Sequence, residues 1–220
     1  MNNLVRKAVA EFIGVAVFVA SIVGATFNSP VTPVAGAALA VTLGLMVLLT
    51  SDTSGGHLNP AVTLFFAAKR ELSWSTAAAY WVAQIAGGIF GGWLGGELWG
   101  QNLWTVNNQI IGKGQILSEV IATAGLVWLI GYLASRGRGN IIPFVVAAWV
   151  FAAGTFTGSG AAANPAVTIG RMFTLNSTAA IGVEQGLYFI LAQIVGVLIA
   201  VLGLMYVTPL TGKAKKKRKK

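Results

Sequence analysis

Two asparagines and two glutamates hold most of the chemistry in the apolar part of this 220-residue chain. Asn59 and Asn164 each open the pentapeptide Asn-Pro-Ala-Val-Thr, at 59–63 and 164–168, 105 positions apart. Asn is a strong helix N-cap, and Pro fits the first helical position, where no N–H is needed. Each copy therefore predicts a helix start: Asn59 before Pro60 and Ala61, and Asn164 before Pro165 and Ala166. Glu11 and Glu119 are carboxylates inside apolar runs, 108 positions apart. Gln84 and Gln193 follow in the same order, 109 apart. These groups do not make an enzyme, because no nucleophile–base pair and no phosphate loop accompany them. His57 is the one histidine and Cys is absent, so no metal set, cofactor or disulfide framework is expected.

The elements that position these groups are membrane helices. Apolar residues are 55% of the chain and charged residues 10%, against about a quarter charged in a soluble domain. The mean hydropathy is +0.75. Six apolar stretches read as spans, at about 8–28, 34–51, 76–98, 115–135, 141–157 and 179–208. The run after Met1–Lys7 is too long for a cleavable leader and contains Glu11, so the first segment is expected to stay in the membrane. Six spans put both termini on one side, together with 13 of the 15 Lys and Arg residues. That side is predicted to be the cytoplasmic face of a plasma or inner membrane. The net charge of +9 then reflects topology and not nucleic acid. The basic tail, 211–220, reads as a solvated topology anchor or as a contact for anionic lipid heads.

The repeated landmarks divide the chain into two halves, 1–105 and 106–210, each with three spans and one motif. Three is odd, so the second half enters the membrane upside down, an inverted repeat. About ten mostly apolar residues follow each Asn, 59–68 and 164–173. At 1.5 Å per residue that is about 15 Å, half a bilayer core. Each motif thus predicts a half-helix starting at mid-membrane, with the two starts face to face. Irregular backbone leads into both, Ser54–Leu58 and Gly158–Ala163, and at that depth it must line a cavity or pack in protein.

Glu11, the run Ser54–Thr63, Gln84, Glu119, Thr157–Gly158 and Asn164–Ala166 together resemble the major intrinsic proteins, the aquaporins and aquaglyceroporins, over about residues 4–208. The resemblance implies an all-α membrane fold of six transmembrane helices plus two re-entrant half-helices, one pore per protomer and a homotetramer in the lipid bilayer. The opposed helix starts focus positive potential at the pore centre, and Asn59 and Asn164 cap their helices while donating into the pore. Carbonyls of Gly55, Gly56, His57, Gly160, Ala161 and Ala162 are expected to form an acceptor ladder. Glu11 and Glu119 are intramembrane carboxylates. They serve either as a proton relay or, as the resemblance implies, as acceptors for backbone N–H groups of the re-entrant loops. His57 reads as a loop brace or wall position, and Gln84 and Gln193 as interhelical hydrogen-bond partners.

The chain departs from the family at the outer constriction. Most members carry Arg directly after the second Asn-Pro-Ala, where this chain has Val167. Its partners fall at Ala161, near Val150, and at Leu39 or Val41, because loop lengths differ. An apolar filter without a fixed charge predicts passive passage of water and small uncharged solutes, such as glycerol-like polyols, urea or metalloid hydroxides such as arsenite. Arg171, one turn beyond Val167, supplies a displaced charge to the outer vestibule, or else snorkels to the interface or pairs with a loop. The competing classes are a strict water channel, a coupled secondary transporter and a non-conducting structural membrane protein.

Overall fold

A computed structural model describes residues 3–28, 33–100, 112–174 and 179–208. The expected boundary at 105/106 and the tail 211–220 lie outside the described residues. The described chain is helical, with no strand: α1 (Asn3–Asn28), α2 (Pro33–Ser54), α3 (Pro60–Ala68), α4 (Trp74–Glu97), α5 (Lys113–Ser135), α6 (Ile142–Phe156), α7 (Pro165–Met172) and α8 (Val183–Tyr206). A single 3₁₀ turn, Gly139–Ile141, precedes α6. Six helices match the six expected spans, and the short α3 and α7 follow the two Asn residues. The last span is trimmed at its start. Residues 179–181 fold back under α7, where Ile181 donates its backbone N–H to the Arg171 carbonyl at 3.2 Å.

Five of the long helical segments are apolar enough to cross a membrane by length and composition, at 3–27, 33–54, 113–135, 139–156 and 183–206. The sixth expected span, α4, is not among them. Its 24 residues reach about 36 Å, but six of them are glycines, which add little hydropathy. Those glycines pack instead. A Cβ at Gly87, Gly91 or Gly95 would lie 2.5, 2.3 or 2.8 Å from the carbonyl oxygens of Phe12, Ala16 and Ala20. The register rises together on both chains, so α1 and α4 run parallel with their backbones touching. Small residues of this kind let helices gain dispersion contact where lipid offers no hydrophobic drive.

The next row of α4 holds the second half-helix in the same way. A Cβ at Gly88 would lie 2.2 Å from the Ala166 carbonyl oxygen, and one at Gly92 would lie 2.6 Å from that of Gly170. The long helix of the first half thus carries the short helix of the second. In the second half, Gly196 of α8 packs on Val120 and Thr123 of α5, and Gly203 packs on the Trp128 ring. Gly44 of α2 meets Pro143 and Ala147 of α6, while Gly36 meets Phe151, so that pair runs antiparallel. These registers bring the starts of α1, α4 and α6 and the ends of α3, α5 and α8 to one face. Arg6, Lys7, Lys69, Arg70, Arg136 and Arg138 lie on it, and it is called the basic face below.

Candidate functional site

The site begins with the two helix caps. Asn59 Oδ1 accepts the Ala61 N–H at 2.8 Å, and Asn164 Oδ1 accepts the Ala166 N–H at 2.9 Å. Each cap residue is extended and is followed by Pro at the first helical position. The amide nitrogens then cross between the halves. Asn59 Nδ2 donates to the Ala163 carbonyl and Asn164 Nδ2 to the Leu58 carbonyl, both at 2.8 Å. The two helix starts therefore meet, as the repeated motif predicts. Each amide has two N–H groups, so one on each Asn remains beyond the crossing bond.

The crossing carbonyls come from strained backbone. Leu58 and Ala163 have φ of 48° and 47°, and the residues at the third position before each Asn, Gly56 and Ala161, have φ of 60° and 54°. Gly55 and Gly160, one step earlier, are also left-handed at 93° and 70°. One backbone path is thus built twice from different side chains. Left-handed geometry costs a non-glycine residue roughly 1–2 kcal/mol, so Leu58, Ala161 and Ala163 must be held by their surroundings.

Carboxylates hold Leu58 and Ala163, and Ser159 Oγ accepts the Ala161 N–H at 3.1 Å. Glu11 Oε1 accepts from Ser54 Oγ at 2.5 Å and the His57 N–H at 3.0 Å, and its Oε2 accepts from the Leu58 N–H at 2.6 Å and Gln84 Nε2 at 2.7 Å. Glu119 accepts the Ala162 and Ala163 N–H groups at 2.9 and 2.8 Å, and Gln193 Nε2 at 2.6 Å. Gln84 and Gln193 also donate to Thr63 and Thr168 Oγ1, at 3.0 and 2.9 Å. Both carboxylates are fully buried. A buried charge is tolerated only when its lone pairs are filled in this way. The clamp also gives the shared Val-Thr continuation of the motif a physical reason, since each Thr receives the clamp glutamine.

A narrow cavity of about 60 Å³ runs beside the Asn pair, room for roughly four or five waters at about 10–15 Å³ each. Gly55, Gly56, His57, Leu58 and Ala162 form one wall with Asn59 and Asn164, and apolar side chains from α1, α2, α3, α5 and α6 form the rest. His57 is held there by Nδ1 against Thr63 Oγ1 at 3.1 Å, with Phe66 stacked at 4.8 Å and Tyr80 edge-on at 5.5 Å. No group of three or more potential metal ligands occurs among the described residues.

The inferred filter residues are split by the fold. Val150, Ala161 and Val167 are buried in one apolar cluster, and Leu39 packs against it. Leu39 shares its helical face with Leu43 and Val47, four and eight positions on, which line the cavity. Val41 is 57% exposed on the outside of α2, away from the cavity. Gly160 and Ala161 lie in the second loop without lining the cavity, unlike Ala162. Arg171 sits at the end of α7 with Nε donating to the Ala179 carbonyl. Tyr80 belongs to the site without having been singled out from sequence, and Ser54, Leu58, Ala163, Thr63 and Thr168 were read as parts of the loops and motifs without the bonds they make here. The threonines were marked by the repeated pentapeptide, and Ser54, Leu58 and Ala163 by the irregular stretches before each Asn.

Two opposed half-helices, clamped by buried carboxylates between six long helices, define a membrane pore architecture. Comparison with known proteins agrees. Residues 1–158 match the family model of the major intrinsic proteins. An aquaglyceroporin of Rhizobium meliloti, AqpS, is 33% identical over 207 residues, covering 90% of this chain and 88% of the relative. A probable aquaporin of Oryza sativa, TIP2-2, is 34% identical over 187 residues, covering 75% and 74%. The solved structure of an aquaglyceroporin from Plasmodium falciparum superposes with a TM-score of 0.72 at 23% identity, covering 94% of this chain and 97% of that one. The chain belongs to the major intrinsic protein family, and it is a channel of that family, not an enzyme.

Proposed function

We propose that this chain conducts water and small uncharged solutes passively, in the class of glycerol-like polyols, urea or metalloid hydroxides such as arsenite, and excludes protons and ions. The observation that carries the reading is the Asn59–Asn164 pair, side by side on one wall of a narrow cavity with one N–H of each amide beyond its crossing bond. A solute oxygen accepting both donors turns its own hydrogens outward, which breaks a proton wire, and the two helix starts repel cations. The filter is assigned to the apolar cluster of Leu39, Val150, Ala161 and Val167, which reaches the cavity through Val150, and its lack of a charge favours a wider neutral-solute pore over strict water selection. Glu11 and Glu119 act as loop braces. Their filled hydrogen-bond shells support that role over a proton relay and speak against coupled transport. The Arg171 bond to the Ala179 carbonyl supports a loop-holding role over a displaced pore charge.

The same reading takes the halves as inverted repeats, the basic face as cytoplasmic and the assembly as a homotetramer. Stopped-flow swelling of proteoliposomes with water, glycerol, urea and arsenite tests it. Flux linear in gradient and insensitive to pH and sodium is expected for water and at least one of the other solutes. Water flux alone would select the strict water channel, and sodium- or pH-dependent flux would select coupled transport.

A further inference from the structure

We propose that the outer side of α5 carries a groove for one acyl chain of an anionic phospholipid, drawn from the leaflet at the basic face and anchored there by its phosphate. Val120, Ala124, Trp128 and Tyr132 mark the groove along α5, with Trp149 of α6 on one side and Ile199 and Thr208 at α8 on the other. It holds about 510 Å³. Leu126 and Ile130 of the same helix line the cavity beside the Asn pair, so the groove backs onto the pore wall. From Val120 to Tyr132 the helix rises about 18 Å, close to the ~15 Å that one leaflet adds to a hydrocarbon core. Its inner end is fixed by Val120, which follows Glu119, the residue that holds the loop at the meeting of the half-helices. Its outer end is fixed by Tyr132, one turn before Arg136 on the basic face. The groove therefore has the reach of a chain in one leaflet. Over that length about 510 Å³ averages about 28 Å² in cross-section, against about 80 Å² for a helix 10 Å across, so a helix of a second copy does not enter it.

The chemistry of the lining selects hydrocarbon. Trp128 donates its indole N–H to Thr208 Oγ1 at 2.7 Å, and Trp149 donates to the Ala122 carbonyl at 2.8 Å. Both indoles are thus satisfied within the protein and offer the groove their rings. No acid lines it. The surface end is basic instead. Arg136 is exposed and lies over the Tyr132 ring, 5.3 Å from its centre. No carboxylate pairs with it among the described residues. Arg138 follows two positions on, and the chain that leaves the groove at Thr208 carries seven Lys or Arg between 213 and 220. A guanidinium gives paired N–H donors to phosphate oxygens. Held over Tyr132, that of Arg136 stands where the phosphate of a lipid would sit with its chain in the groove. Hydrocarbon walls one leaflet deep, with cations at the surface end, complement a phospholipid of net negative charge.

Native mass spectrometry of the full-length protein, with phosphatidylglycerol or phosphatidylcholine of the same chains added, reads the tightest-held lipid and the oligomeric state together. Wild type is expected to hold phosphatidylglycerol at least fivefold more tightly than phosphatidylcholine. Arg136→Gln should weaken phosphatidylglycerol by about fivefold, the worth of one basic residue at an anionic surface, and leave phosphatidylcholine unchanged. Ile199→Trp, which puts an indole into the groove from α8, should weaken both lipids. If that variant does not purify as a folded species, Ile121→Trp fills the same groove from α5 and decides the matter. Free glycerol 3-phosphate at the lipid's concentration should displace nothing. Equal affinity for the two lipids in wild type overturns the proposal, as does unchanged phosphatidylglycerol binding in Arg136→Gln. Wild-type lipid binding in the filled-groove variants would move the lipid to surface charge alone and overturn the groove. Displacement by glycerol 3-phosphate would reduce the site to a phosphate site and overturn it too. A filled-groove variant that changes oligomeric state would make the groove a contact between copies, which also overturns the lipid.

Discussion

The loops before α3 and α7 follow one backbone path with two different sets of side chains. Both pass through left-handed residues at the same steps, both end on a capping Asn, and both are clamped by Glu, Gln and Thr. Around that shared frame the first loop is braced further. Ser54 adds a fourth donor to Glu11, Tyr80 donates its hydroxyl to the Ser54 carbonyl at 2.6 Å, and His57 stacks on Phe66. The second loop puts Ala162 where the first has His57, and α8 puts Phe189 where α4 has Tyr80. The Glu, Gln and Thr of the clamp are therefore duplicated, while His57 and Tyr80 around it are not.

The largest effect should come from removing a clamp. Glu11→Ala takes the acceptor from Gln84, Ser54 and two buried loop N–H groups, and each N–H left unsatisfied costs about 1–3 kcal/mol. Glu119→Ala strands three donors instead of four. Thermal unfolding in detergent, followed by size-exclusion chromatography, should rank Glu11→Ala below Glu119→Ala, and both below wild type. Equal melting points would break the claim that the first loop is the more heavily braced.

Gly88→Ala comes next. Its methyl would meet the Ala166 carbonyl oxygen at 2.2 Å, a backbone atom that cannot rotate away. Overpacking of this kind costs roughly 1–3 kcal/mol. Because Gly88 supports the half-helix of the other repeat, solute flux should fall along with the melting point. A variant that melts lower while conducting normally would separate the glycine contact from the pore.

Val167→Arg would give the second half a charge that the first half, with Val62, also lacks. Glycerol flux should fall by roughly tenfold with a much smaller loss of water flux. Equal loss of both, at matched protein content, would argue against an open apolar filter. The smallest change is Tyr80→Phe, which makes that position match Phe189 and removes one neutral hydrogen bond, worth about 1 kcal/mol. A melting point unchanged from wild type would show that the Tyr80 hydroxyl adds nothing to the first brace.

Most of the fold could be read from residues 1–208 because apolar runs and repeated landmarks are local signals. Both half-helices begin within one residue of the expected positions, since Asn-Pro states its own geometry. α4 was legible as a span by its length, although its glycines remove it from the segments apolar enough by composition. The partners of those glycines were not legible, because Phe12, Ala16 and Ala166 are 75 or more positions away. Leu39 and Val41 could not be separated from spacing alone, and the α2 face decides which one turns inward. The role of the Leu58 and Ala163 carbonyls was hidden for a similar reason. An alanine or leucine carbonyl looks the same in sequence whether it faces water, a helix or an asparagine 104 to 106 residues distant.

Those two crossing bonds have a consequence for biosynthesis. When the ribosome has made the first half, the Asn59 amide and the Leu58 carbonyl are present, but their partners do not yet exist. At about 5–20 residues per second, roughly 5–20 s pass before Ala163 and Asn164 are added. Through that interval the nascent first half must keep two polar groups wetted inside the bilayer or hold its loop outside. The junction of the two half-helices is therefore a late event, closed only when the second one arrives.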